Sequence, residues 1–320
     1  MLRKQRFGQE IFPTGAPASR FVVLAPVAPL TVVTVVTLIV TLVLAAVAVT
    51  TMPVLAATND DLVGARPMGM GGAFAAVADD STAVYWNPAG LVQLPAGQIT
   101  SMYANKFGIK GYNFMLLNGA FPIRGAALGF GVIQEGVPLE EENGGVIVTN
   151  NFGERTVSLS GAGKFPKFSI GTTIKHVAIS SGVSDVPSPS WAGVDFGILG
   201  KPSDVLSAGF IAKNLISTRA DGEALTASYR GGIAYTGIRN VVLAADLSIE
   251  EDPTDHNRKL IKYHVGGEYR IFNLVTLRGG YDYKYLTAGL GLEKGRFSFD
   301  YAYQDHEANG THRVSASFRF

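Results

Sequence analysis

Ten ionisable residues in the second half of the chain could do chemistry, and they share one habit. Arg230, Asp246, Lys262, His264, Glu268, Arg270, Arg278, Asp282, Asp300 and Arg313 each take alternate positions in segments that are otherwise apolar. Arg296 does the same. Two roles fit such a set. It could line a polar path for a substrate, or it could be a network in which opposite charges neutralise one another. The signs nearly balance, and an unpaired charge taken out of water is costly, so the network is the favoured reading.

Catalysis finds little support. His176, His256, His264, His306 and His312 show no metal-ligand spacing. The chain has no Cys, which removes thiol chemistry, disulfides and Cys-bound metals. No Gly-x-Ser-x-Gly elbow appears. Gly69, Gly71 and Gly72 superficially suggest a phosphate loop, but no Gly-Lys-Ser/Thr ending and no βαβ pattern accompany them. The chain reads as no enzyme, with neither metal nor cofactor.

The elements that carry these residues are strands. In the last nine residues, Arg313, Ser315, Ser317 and Arg319 fall on one face, and Val314, Ala316, Phe318 and Phe320 on the other. A period of two is a strand with one wet and one greasy face. Ser158 and Ser160 oppose Val157 and Leu159 in the same way, and Asp246 and Ser248 oppose Leu247 and Ile249. Lys262 and His264 oppose Ile261 and Tyr263. About fourteen such segments of roughly ten residues follow one another, the length a tilted strand needs to cross a bilayer.

The connections sort by length. Tight Pro- or Gly-marked turns at 122–125, 165–167, 201–204, 237–239, 272–274 and 294–295 alternate with longer polar joins at 106–111, 134–153, 179–190, 215–226, 250–258 and 304–310. The join at 283–285 is the short exception. Alternation of this kind predicts a closed antiparallel transmembrane β-barrel with every turn tight on one side, over residues 97–320. An even strand count puts both chain ends on that side. The last strand should pair with the first, near Gln98–Phe107.

Composition agrees. The 320 residues carry a net charge of +1, which leaves no footprint for nucleic acid, and 38 Gly, which suits strands bent round a barrel. Arg3, Lys4 and Arg6 precede an apolar run from Thr31 to Val49 and then small residues up to Ala56–Ala57. Residues 1–56 read as a secretory signal, with a retained transmembrane helix as the rival because the run is long.

Between signal and first strand, residues 57–96 hold Gly69-Met70-Gly71-Gly72, Asp79-Asp80 and Trp86-Asn87-Pro88-Ala89-Gly90-Leu91. Glycines permit unusual backbone angles and close packing. Asp79, Asp80 and Asn87 suit helix caps and turns, and Pro88 fixes a bend. This stretch closely resembles the start of the fatty-acid-transporter-like outer-membrane barrels, the FadL superfamily, and most of all its PorV and PorQ branch. The resemblance implies a barrel whose N-terminal segment folds inward as a hatch. It also implies Phe318 and Phe320 as a signal read by the outer-membrane barrel assembly machinery. Two functions follow from it: passive transport of small hydrophobic molecules across the outer membrane, or a component of a protein secretion or surface-attachment system that binds secreted proteins through loops such as 135–153 and 180–190. A mainly structural outer-membrane protein is the third reading. Outer-membrane lipid is the expected surrounding in each case.

Overall fold

The structure is a computed structural model and describes residues 63–143, 146–182, 188–220, 223–252, 255–306 and 309–320. The signal reading of residues 1–56, and the first six residues of the 57–96 segment, lie outside these. Fourteen strands form one wall. They are β1 Gln98–Asn105, β2 Asn113–Ile123, β3 Ala126–Asn143, β4 Val146–Lys164 and β5 Phe168–Ser181. Next come β6 Ser190–Ser203, β7 Leu206–Ser217, β8 Ser228–Tyr235, β9 Val241–Asp252 and β10 Asp255–Ile271. Last are β11 Val275–Asp282, β12 Tyr285–Lys294, β13 Phe297–Gln304 and β14 Thr311–Arg319. Each pairs antiparallel with its neighbour in sequence, and β14 closes on β1 from Gln98↔Arg319 to Asn105↔His312. Closure leaves no edge with unpaired backbone groups, the condition for a sheet in lipid.

The faces divide as the alternation requires. Leu159, Leu247, Ile261 and Leu286 point outward and are exposed, while their neighbours Ser158, Ser248 and Thr287 are buried within. An outer surface of this kind is unfavourable in water by roughly 25 cal/mol per Å² and comfortable only in an apolar medium. All ten ionisable residues named above have the inward parity. Arg296 does not: it lies in the turn between β12 and β13, where no wall face exists.

The joins differ from expectation at three places. The stretches 134–153 and 250–258, read as loops, are mostly ladder, and β3, β4 and β10 reach 18, 19 and 17 residues. Where water bathes both faces of a strand, alternation fades while backbone pairing still satisfies the N–H and C=O groups. The join at 215–226 carries a two-stranded ribbon, Arg219–Ala220 on Glu223–Ala224.

Candidate functional site: the filled lumen

The N-terminal segment contains two short helices, α1 Ala65–Gly69 and α2 Ala83–Trp86, and a 3-10 turn over Pro88–Gln93. Inward side chains of strands all round the wall hold it. Ser315 of β14 accepts the Ala65 amide at 3.0 Å, Thr287 of β12 donates to the Gly69 carbonyl at 3.3 Å, and Ser207 of β7 donates to Ala76 at 2.9 Å. Thr173 of β5 donates to the Val84 carbonyl at 3.0 Å, and Asn87 donates to the Ile198 carbonyl of β6 at 3.1 Å. A segment bonded to every side of a closed wall lies within it. Phe74, Tyr85, Trp86 and Leu91 are buried there.

Two ionic clamps fasten it. In the first, Arg66 reaches Asp79 at 2.6 Å, Asp80 at 3.0 Å and Glu268 at 2.9 Å. Arg278 continues the chain, from Glu268 at 3.0 Å to Asp300 at 2.8 Å. Burial alone would lower the pKa of the Arg66 guanidinium, but Asp79, Glu268 and Asp80 outweigh it and hold it well above its ordinary value. In the second clamp, one oxygen of Asp246 accepts the amides of Phe74 and Ala75, each at 2.9 Å. Arg230 donates to the Gly72 carbonyl at 2.8 Å and lies 5.0 Å above the Trp86 ring. The indole N–H of Trp86 in turn donates to the Val63 carbonyl at 2.8 Å.

The remaining ionisable residues sit above the clamps or at the mouth. His264 meets Asp282 at 2.8 Å and Ser248 at 3.2 Å, Lys262 pairs with Glu250, and Arg313 donates to Gln304 at 2.9 Å. Arg270 is at the mouth near the tight turns, half exposed, 3.9 Å from Glu293. Sequence reasoning missed Arg66, the centre of the first clamp, although it is the lone cation of its segment and an Asp pair follows it. It also passed over two buried pairs: Lys175–Asp195 at 3.2 Å, and Lys106–Glu135 at 2.5 Å. Burial draws the Lys106 ammonium down from its usual pKa against the pull of Glu135, and burial with the Glu135 hydrogen bond raises the Tyr112 phenol.

The motif glycines serve for different reasons. Gly71 and Gly72 have φ of 65° and 72°, and a Cβ on Gly71 would stand 2.6 Å from the Tyr281 nitrogen. Gly69 is helical instead, and its value is contact: a Cβ there would meet the Gly289 Cα at 3.2 Å. A Cβ on Gly90 would stand 2.0 Å from the Ala78 carbonyl oxygen. Asn87, extended at φ −170° as a residue before proline should be, caps the 3-10 turn by accepting the Ala89 amide at 3.2 Å, and Pro88 opens that turn. Asp80 accepts the Thr82 amide at 2.8 Å while also holding Arg66. Between the segment and β11–β14 remains a polar cleft of ≈ 50 Å³, lined by Arg66, Arg278 and Asp300. That is space for a few waters.

A closed antiparallel barrel of fourteen strands, with its own N-terminal segment folded into the lumen, is a recognisable architecture. Among solved structures, this chain is similar in fold to the Pseudomonas putida toluene transporter TodX, at a TM-score of 0.62 and 14% identity over 82% of this chain and 99% of that one. The Ralstonia pickettii toluene transporter TbuX gives 0.59 and 15% over 82% and 100%, and a Pseudomonas aeruginosa FadL homologue gives 0.59 and 13% over 85% and 99%. These likenesses establish the fold. No protein-family profile and no curated sequence matches the chain.

Proposed function

We propose that this chain is an outer-membrane barrel of the FadL superfamily that passes small hydrophobic molecules inward, with residues 63–96 as its hatch. The observation that carries this is the seating of the segment: it fills the lumen yet is joined to the wall by polar contacts that can be exchanged. The toluene transporters similar to it in fold support the substrate class. The cleft beside Arg66 is too small and too polar for a hydrocarbon, so passage there requires the hatch to shift or rearrange. The outward apolar band and the closed ladder support a bilayer location, with the tight turns and both chain ends on the periplasmic side. The test is uptake of labelled toluene into proteoliposomes holding the purified chain. Uptake should exceed that of protein-free vesicles and change when Asp246 or Arg66 is substituted. Uptake equal to protein-free vesicles would refute the proposal.

One observation favours a second reading. The β3–β4 hairpin runs well past the length that a bilayer needs, which gives a surface for binding an exported protein as a PorV-like secretion or attachment component would. Pull-down of exported proteins by the intact chain, lost on trimming the hairpin, is the result that would favour it.

A further inference from the structure

Five of the six tight turns carry a cation. Arg124 lies between β2 and β3, Lys164 and Lys167 flank the β4–β5 turn, and Lys201 precedes the β6–β7 turn. Arg239 lies between β8 and β9, and Lys294 and Arg296 border the β12–β13 turn. All are exposed, and Asp204 is the one exposed acid in these turns. None of these cations makes an ion pair among the described residues. The opposite end is mixed in sign, with Glu250 and Glu251 of β9 beside Lys106, Lys110, Lys259 and Lys284.

The cations stand among apolar residues. Phe272 is 93% exposed at its turn, and Ile238 and Val205 are exposed beside Arg239 and Asp204. Just inside the ring of cations runs a belt of phenyl rings: Phe165 on Phe168 with centroids 4.8 Å apart, Phe297 on Phe318 at 5.0 Å, and Phe121 on Phe320 at 5.8 Å. At the loop end Tyr and His are common among the rings, as in Tyr301 bonded to His312 at 2.7 Å. A turn that carries both an exposed ring and a cation suits the boundary where hydrocarbon meets headgroup, with the Lys and Arg stems reaching out to the charges. A water-exposed protein-docking rim has no need of the phenyl belt.

We infer that the tight-turn end is a binding rim for the phosphodiester headgroups of acidic phospholipids in the leaflet on that side. This rests on the barrel crossing a bilayer, and it adds a ligand that the transport reading does not include. The test uses the full chain in vesicles of mixed phosphatidylcholine and phosphatidylglycerol, extracted with its nearest lipids and weighed by native mass spectrometry. Phosphatidylglycerol should be enriched over the bulk by roughly threefold or more, since one cation near an anionic surface is worth about fivefold. The enrichment should fall in K167Q/K201Q/R239Q/K294Q, which removes four of the seven cations, vanish for the unaltered chain in ~0.5 M salt, and persist in K110Q/K284Q at the other end. Heat-modifiable migration on a gel reads insertion separately, so a failure of the barrel reading is distinguishable. No enrichment in the inserted chain, or undiminished enrichment in high salt or in the folded quadruple variant, overturns the inference and leaves the rim for an acidic protein.

Discussion

Asp246 carries two backbone amides of the N-terminal segment on one carboxylate oxygen, with Arg230 4.0 Å away. Asp246→Ala strands those two buried amides, a loss of about 1–3 kcal/mol for each if the segment stays seated. The segment should therefore loosen while the barrel persists. In a Trp191→Phe background, Trp86 fluorescence should become accessible to a soluble quencher, and unchanged quenching would count against the clamp. Gly71→Ala should loosen it as well: the left-handed backbone costs an L side chain about 1–2 kcal/mol, and the Cβ also collides with β11. Much of this chemistry was legible as type and parity, because side-chain direction in a strand depends on sequence alone. Partners were not. Arg278 meets Glu268 because β10 and β11 pair at that register, and Arg66 meets Glu268 across 202 residues. Strand shear and the path of a non-alternating segment decide such contacts, and neither has a local signal.

At the scale of elements, the strands were legible wherever lipid bathes one face and the lumen the other. They became illegible where water bathes both, which is why β3, β4 and β10 overran their expected ends. Inward apolar residues blurred the pattern too: Val177, Ile179 and Trp191 sit inside, packed with Leu225 after the ribbon. The 63–96 segment lacks any period, so its place in the lumen came from resemblance and its contacts only from structure. Its bonds end mostly on side chains, and at Ile198 on a carbonyl, of a wall that is complete without it. Deleting residues 58–91 should thus leave an insertable barrel with larger single-channel conductance in planar bilayers. Equal conductance with and without the segment would show that it is no plug.

For the whole molecule, closure hangs on the pairing of β14 with β1, and Phe320 sits at that seam. Its amide donates to the Gly97 carbonyl at 2.9 Å and its ring lies 5.8 Å from Phe121. Phe320→Asp should lower the amount of heat-modifiable barrel in outer-membrane fractions, and normal amounts would remove the residue from assembly. The wall itself is uneven. On one side, β3 to β6 have 18, 19, 14 and 14 residues; on the other, β11 to β14 have 8, 10, 8 and 9. Eight residues at about 3.3 Å each, tilted by about 40°, rise only roughly 20 Å, short of the roughly 25 Å usual for an outer-membrane barrel. Acyl chains beside β11–β14 must then shorten while those beside β3–β6 stay extended. The barrel becomes a wedge of hydrophobic mismatch, which pinches the bilayer along one flank and tilts the axis toward it.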